Sequence, residues 1–155
     1  MKQDRFKAVS INNRKKQIET EYTSGKKYTL HYSQLGLNCL VADAWVDAET
    51  NGRSIGILLS DGTADYMPYD QPLALNKDPQ FLLQNQMEIL IARIKIEIKK
   101  KKMSKRYLAL RLKTSDNQVQ RLLNPKILKK NLEQLYLLAS LVGLNLELRA
   151  KSQAA

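Results

Sequence analysis

The spacing of the apolar residues changes at Asp78-Pro79, and this change divides the chain into two parts of different secondary structure. Before it, apolar and polar residues alternate, for example along Leu40–Asp47, which is the period of a half-buried strand. After it, apolar residues recur every three or four positions, as in an amphipathic helix. The sequence therefore predicts an α+β chain with a β-rich domain at 1–77, a helical domain at 78–150 and a tail at 151–155.

The first domain is predicted to be a small antiparallel sheet of three or four strands. Turn residues separate the strand segments 28–36, 40–47, 55–59 and 63–67, and a short helix is the alternative for 40–47. Asp61-Gly62 is the strongest hairpin signal. Residues 1–27 are polar and weakly patterned, so we expect their early part to lack regular structure. This domain is expected to bind itself, a partner protein or a small effector.

The second domain is predicted to contain four helices and a closing strand. An Asp78 cap and Pro79 predict a helix from about Pro79 to Lys100. Capping residues then predict three further helices, which begin after Ser104, Ser115 and Asn131, with Gln134 completing a capping box at the last of them. Beyond a terminating glycine, the alternation of Leu144, Leu146 and Leu148 with polar residues predicts the strand.

The net charge of +11 comes entirely from the second part of the chain. Residues 1–78 hold ten Lys/Arg and ten Asp/Glu, whereas residues 79–155 hold sixteen and five. A surface of this sign attracts a polyanion, and duplex DNA is the densest common one. The alternative is that the basic residues only keep the chain soluble.

The segment SKRYLALRLKTSDNQVQRLLN, Ser104–Asn124, resembles the helix-turn-helix of the Cro and phage-repressor (XRE-type) family. A small residue, Ala109, occupies the position where the two helices cross, and three apolar residues fill the wedge between them: Leu108, Val119 and Leu122. Ser115 caps the second helix of the motif. Lys113 takes the turn position that usually holds glycine, so we expect positive φ there at a cost of about 1 kcal/mol.

The resemblance extends over residues 81–149, where the chain is similar to the C-terminal domains of small repressors and antitoxins of the HigA and HicB kinds. It implies a lambda-repressor-like domain of four to five helices with a short closing strand. Residues 1–78 resemble no family that we recognise. They lack the segment expected of a HicB-like degraded nuclease domain, so the resemblance does not extend to that family's toxin-binding role.

The resemblance also implies that the helix beginning at Asp116 lies in the major groove of duplex DNA. Asn and Gln pair with adenine and Arg with guanine, so the expected base contacts are Asn117, Gln118, Gln120 and Arg121. The expected phosphate contacts are Lys105, Arg106, Ser115, Asn124, Lys126, Lys129 and Lys130. One module reads few bases, so we expect a homodimer on a palindromic operator, paired through residues 144–148 or through the first domain.

The sequence predicts a cytoplasmic, DNA-binding transcriptional repressor with no membrane segment, cofactor, metal site or catalytic role. The alternatives are an antitoxin with a cognate toxin partner, and an RNA-binding or adaptor protein without base readout. His31 and Cys39 have no neighbours that would form a metal site or a nucleophile–base pair. Five aspartates in 43–70 are explained by strand edges and turns, and the nearby aromatic residues Trp45, Tyr66 and Tyr69 are expected in a core or an interface.

Overall fold

Six strands and five α-helices form within residues 4–153, which are the residues that the computed structural model describes. The strands are β1 Phe6–Asn12, β2 Gln17–Tyr22, β3 Lys27–His31, β4 Val41–Val46, β5 Ser54–Leu59 and β6 Ala64–Pro68. The helices are α1 Gln71–Leu75, α2 Pro79–Lys100, α3 Lys105–Arg111, α4 Asp116–Leu122 and α5 Leu132–Leu141. The chain divides into two compact units, Met1–Leu82 and Leu83–Ala155, so α2 begins in the first unit and continues in the second. The α+β class is thereby confirmed.

The first unit contains two antiparallel sheets of three strands, in the orders β1-β2-β3 and β4-β5-β6. One sheet of three or four strands was therefore the wrong expectation, because β1 and β2 lie in the part that reads as weakly patterned. The apolar–polar alternation of β2 is not visible in the sequence because a polar residue, Thr20, occupies a buried position between Ile18 and Tyr22. The Thr20 hydroxyl donates to the Tyr28 carbonyl oxygen at 3.1 Å. A polar residue can occupy an inward position when its hydrogen bond is made there.

One core joins the two sheets of the first unit. Phe6 stacks on Tyr22 with ring centroids 4.9 Å apart, and residues of both sheets share the same buried cluster. The backbone connects them as well, since the Phe6 amide donates to the Gly52 carbonyl at 2.8 Å. The short helix α1 follows Asp70, in a region where the two prolines predict only the end of the strands. Its Leu73 closes the core.

Asp78 fixes the start of α2 within the first unit. Its carboxylate accepts from the Phe81 amide at 2.9 Å, which is the predicted cap. It also accepts from the Tyr28 hydroxyl at 2.5 Å and pairs with the Lys26 ammonium at 3.1 Å. Burial raises the pKa of Asp78, but these hydrogen bonds outweigh burial and lower it overall. Asp78 therefore both caps α2 and accepts hydrogen bonds from Tyr28 and Lys26 at a buried position.

The second unit has a core of aliphatic side chains carried by α2, α3, α4 and α5. The predicted helix Pro79–Lys100 is confirmed with the same bounds, and the other helices begin at the predicted caps. Two residues of the predicted apolar stripes face outward instead: Leu83 on α2 and Leu132 on α5, the latter 52% exposed. Within residues 4–153, no helix is long and apolar enough to span a membrane.

Two local predictions for the end of the chain are wrong. Residues 144–150 form no strand, because residues 83–153 contain no other strand to pair with, and Leu144 and Leu146 pack on the helical core without one. The capping box of α5 is incomplete: Asn131 accepts from the Gln134 amide at 3.0 Å, but the Gln134 side chain is hydrogen-bonded to Gln118 instead.

Candidate nucleic-acid interface

The turn between α3 and α4 is closed by backbone hydrogen bonds and by a residue in the left-handed conformation. The Lys113 amide donates to the Leu110 carbonyl at 3.2 Å, and the Thr114 amide donates to the Ala109 carbonyl at 2.9 Å. This pair of bonds is the Schellman motif that ends many helices. Lys113 itself has φ 53°, so the expected positive φ is confirmed. A lysine therefore holds a conformation that glycine adopts without steric cost.

Serine caps and a shared apolar wedge orient the two helices of this segment. The Ser104 hydroxyl oxygen accepts from the Tyr107 amide at 3.0 Å, and that of Ser115 accepts from the Gln118 amide at 3.1 Å. The wedge residues named from the sequence are all buried: Leu108, Ala109, Val119 and Leu122. Because Val119 and Leu122 turn one face of α4 inward, the opposite face of this helix is exposed.

Three of the four expected base-contacting residues lie exposed on α4. The side chains of Asn117, Gln120 and Arg121 are exposed, and they make no hydrogen bond or ion pair with any part of the chain from 4 to 153. The fourth, Gln118, is half-buried, and its amide nitrogen donates to the Gln134 side-chain oxygen at 2.8 Å. Gln118 therefore holds α4 against α5, which the sequence pattern did not reveal.

The expected phosphate-contacting residues divide into exposed cations and residues with internal bonds. Lys105, Arg106, Lys126 and Lys129 are exposed. Ser115 is the cap of α4, and the Asn124 side-chain oxygen accepts from the Lys126 amide at 3.0 Å. Residues 101–130 as a whole contain ten Lys/Arg and one acidic residue, Asp116. Because this segment has a single carboxylate, almost all of its positive charge is left without a neutralising partner inside the segment.

Lys130 closes the C-terminal end of α4. Its ammonium donates to the carbonyl oxygens of Arg121 and Asn124, both at 2.8 Å, where the helix dipole is negative. Burial lowers the pKa of Lys130, and the nearby cations of Arg121 and Lys95 lower it further. The fold therefore brings three like charges together. Lys95 lies on α2, and its influence on Lys130 could not be predicted from the sequence because it depends on tertiary packing.

A second lysine has a comparable role at the end of α5. The Lys101 ammonium donates to the carbonyl oxygen of Val142, which lies just before Gly143. Gly143 ends the helix with φ 88°, as the sequence predicts. Lys101 belongs to the run of four lysines, residues 99–102, that spans the end of α2, and a solvated basic helix end would explain this run from the sequence. At least one lysine of this run is thus part of the fold.

The first unit contains a cavity of about 510 Å³ beside the β1–β2 turn. Lys15, Lys16 and His31 line it together with Tyr32 and Leu40, and no carboxylate is among its lining residues. A small effector bound there would meet cationic and hydrogen-bonding groups. This lining fits an anionic effector better than a cationic one.

Comparison of the chain with protein-family models, with curated proteins and with solved structures gives no significant match.

Proposed function

We propose that the second unit binds duplex DNA and that the protein is a sequence-specific transcriptional repressor. The observation that carries the proposal is the outward polar face of α4. Asn117, Gln120 and Arg121 are exposed there without partners in residues 4–153, within a segment of ten cations and one carboxylate. A helix of this kind matches the width of the major groove.

The chemistry of the face matches the edges of base pairs. Gln120 and Asn117 each offer a donor and an acceptor, which together match adenine, and the Arg121 guanidinium matches the two acceptors of guanine. Gln118 holds α4 in position, because its side-chain amide nitrogen donates to Gln134. Base readout therefore rests on three residues.

The exposed cations around α4 supply the nonspecific part of the binding. Lys105 and Arg106 begin α3, and Lys126 and Lys129 follow α4, so both flanks of the polar face carry positive charge. Phosphate contacts fix position and orientation, while base contacts select the sequence. A bound polyanion would also relieve the repulsion that lowers the pKa of Lys130.

Two copies are needed for selective binding, because one short helix reads only a few base pairs. We accordingly propose a homodimer whose two α4 helices contact half-sites about one helical turn apart. The prediction for the operator is a palindrome with a spacing of about 10 base pairs. Repression would follow if that operator overlaps a promoter.

The experiment that tests the proposal is selection of bound sequences from a random duplex pool with the full chain. We expect a palindromic consensus. Arg121→Ala should then weaken binding to the selected site by about 1–3 kcal/mol and leave binding to random duplex nearly unchanged. Equal losses for both duplexes would contradict the readout role of Arg121.

Charge controls separate base readout from attraction to phosphates. Lys129→Ala should weaken selected and random duplex equally and reduce the slope of log K against log salt by about 1. Lys15→Ala removes the same charge from the first unit and should change neither quantity. Duplex RNA and single strands are compared at the same salt concentration. If they bind as tightly as the selected duplex DNA, the protein is an RNA-binding or adaptor protein.

A further inference from the structure

The second sheet of the first unit has an outer face that carries exposed aromatic side chains. Trp45 pairs with Gly56 across β4 and β5, and Gly56 pairs with Tyr66 across β5 and β6, so the three form one cross-strand row. The neighbouring row on the same face is Asp43, Leu58 and Ala64. We call these six residues the aromatic face. Trp45 is 38% exposed and Tyr66 59%, although large apolar side chains of a sheet usually face the core.

Gly56 leaves room for the Trp45 indole to lie against the neighbouring strand. A Cβ atom at this position would overlap the indole carbons of Trp45. The indole therefore lies directly over the strand backbone, and Tyr66 follows on the other side of the same glycine. The outer side of the Trp45 indole and more than half of Tyr66 are accessible to a ligand that lies along the sheet.

The segment that forms the aromatic face carries a strongly negative charge. Residues 40–70 contain six Asp/Glu and one arginine, Arg53. Asp43 belongs to the face itself and is exposed. The first sheet has the opposite balance, with seven Lys/Arg and three Asp/Glu in residues 4–38. The negative charge is therefore concentrated at the sheet that exposes its aromatic side chains.

We propose that the aromatic face binds an arginine- and lysine-rich segment of a partner protein. Aromatic π-faces attract guanidinium and ammonium groups, and the surrounding carboxylates favour the same cations. A nucleic-acid strand would instead need cations between the aromatic residues to hold its phosphates. This interface is independent of the proposed DNA binding, because every residue of the face lies in the first unit.

Trp45 is the one tryptophan of the chain, so its fluorescence reports directly on this face. The full chain is titrated with a peptide of about twelve residues that alternates arginine and serine, and with matched peptides in which glutamate or glycine replaces arginine. We expect a saturable change of Trp45 emission with the arginine peptide alone. The chain carries a net charge of +11, so long-range attraction to the whole molecule would not produce this result.

Variants of the face test which groups bind the peptide. Tyr66→Ala should weaken binding by about threefold to thirtyfold, because one cation–π contact is lost. Tyr66→Phe keeps the π-surface and should retain binding, which separates this contact from a change in folding. Gly56→Ala should displace the indole, alter Trp45 emission before any peptide is added, and weaken binding.

A matched pair of charge variants tests whether the attraction is local. Asp43→Asn should weaken binding more than Glu49→Gln, which removes an equal charge in the β4–β5 turn. Equal effects of these two variants, or no saturable signal with the arginine peptide, would overturn the proposal.

Two further results would assign the face to another occupant and would equally overturn the proposal. One is that duplex DNA or single-stranded RNA gives the same Trp45 response as the arginine peptide. The other is that the chain self-associates in sedimentation and that Tyr66→Ala abolishes the association. The peptide titration and its variants do not depend on whether the second unit binds DNA, so the two proposals fail independently.

Discussion

The two units of this chain are stabilised by different kinds of interaction. The first consists of two antiparallel sheets of consecutive strands, β1-β2-β3 and β4-β5-β6, and a core with aromatic side chains joins both sheets. The second has an aliphatic core between helices whose hydrogen bonds and serine caps are local in sequence. Their charges differ as well, since residues 1–78 are balanced and the rest carries the whole excess.

This difference indicates where each unit is sensitive. In the first unit, the main buried carboxylate is Asp78, so protonation should weaken the fold. In the second, lysines are built into helix ends, at Lys101 and Lys130, beside a surface proposed to bind phosphates. Substitutions there should separate lysines that stabilise the fold from lysines that bind DNA.

The largest expected effect comes from opening a cavity in the aliphatic core. Leu138 is fully buried on α5, whereas its neighbour Leu137 is 50% exposed. Leu138→Ala should reduce the free energy of unfolding of the second unit by about 2–5 kcal/mol. The Leu137→Ala control should cost less than about 0.5 kcal/mol.

Urea unfolding followed by far-ultraviolet circular dichroism measures this loss in the helices, and Trp45 fluorescence follows the first unit. Because each unit has its own core, we expect the Trp45 fluorescence of Leu138→Ala to change at the same urea concentration as in the unmodified chain. An equal shift of both transitions would show that the two units unfold as one.

The next largest effect concerns Asp78. Asp78→Ala removes a helix cap and leaves the Tyr28 hydroxyl without its acceptor, so we expect a loss of about 2–3 kcal/mol in the first unit. Asp70 is the matched control, because it precedes α1 without making a side-chain cap bond. Asp70→Ala should cost less than about 0.5 kcal/mol in the same urea experiment. Equal losses would contradict the role of the Asp78 hydrogen bonds.

The same carboxylate predicts a pH dependence. The pKa of Asp78 is lowered from the ordinary value of 3.8 in the folded chain, so the unfolded chain binds its proton first. The stabilisation is therefore complete well above pH 3.8 and is lost over the acid range in which the pH falls through 3.8 and then through the lower folded value. Urea unfolding across this range should show a smaller loss in Asp78→Asn than in the unmodified chain. Parallel curves would exclude Asp78 as the titrating group.

A smaller effect should separate two adjacent lysines. Lys130→Met removes the ammonium that binds two carbonyl oxygens at the end of α4, at an expected cost of about 1–2 kcal/mol to the second unit. Lys129→Met should cost less than about 0.5 kcal/mol, because Lys129 is exposed. Binding of duplex DNA should show the reverse order once stability is accounted for, with Lys129→Met the more damaging. A larger loss of stability in Lys129→Met would refute the assignment.

The smallest effect is a gain in stability. Lys113→Gly removes a side chain from a position with φ 53° and should stabilise the second unit by about 1 kcal/mol. Lys113→Ala keeps the Cβ atom and should give no such gain. Thermal unfolding distinguishes the two variants. If both variants are equally stabilised, the destabilisation at Lys113 comes from repulsion between cations and not from the left-handed backbone.

Comparison of individual elements shows why the sequence predicted the helices better than the sheets. The start of α2 could be read from Asp78-Pro79, because a cap acts on the next few residues. β2 could not be read, because Thr20 looks solvent-facing until its bond to the Tyr28 carbonyl is known. The strand expected at 144–148 failed for the opposite reason: its alternation is clear, but residues 83–153 offer no strand to pair with it.

The candidate interface shows the same division. Ser104, Ser115 and the buried wedge are local features, and the sequence placed them correctly. Gln118 was expected to contact bases, and only the packing of α5 against α4 shows that its amide is bonded to Gln134. The exposure of Asn117, Gln120 and Arg121 agrees with their expected position, while their contacts with DNA remain a prediction.

By itself, the sequence determined the α+β class, the start of each helix after residue 78 and the half of the chain that carries the charge. These follow from residue periodicity, capping chemistry and composition, which act over a few positions. Only the tertiary structure decided that six strands form two sheets, that Lys130 and Lys101 close helix ends, and that Trp45 and Tyr66 lie exposed on an acidic sheet. Each of these depends on how separate elements pack in the folded unit, which the local pattern of residues does not specify.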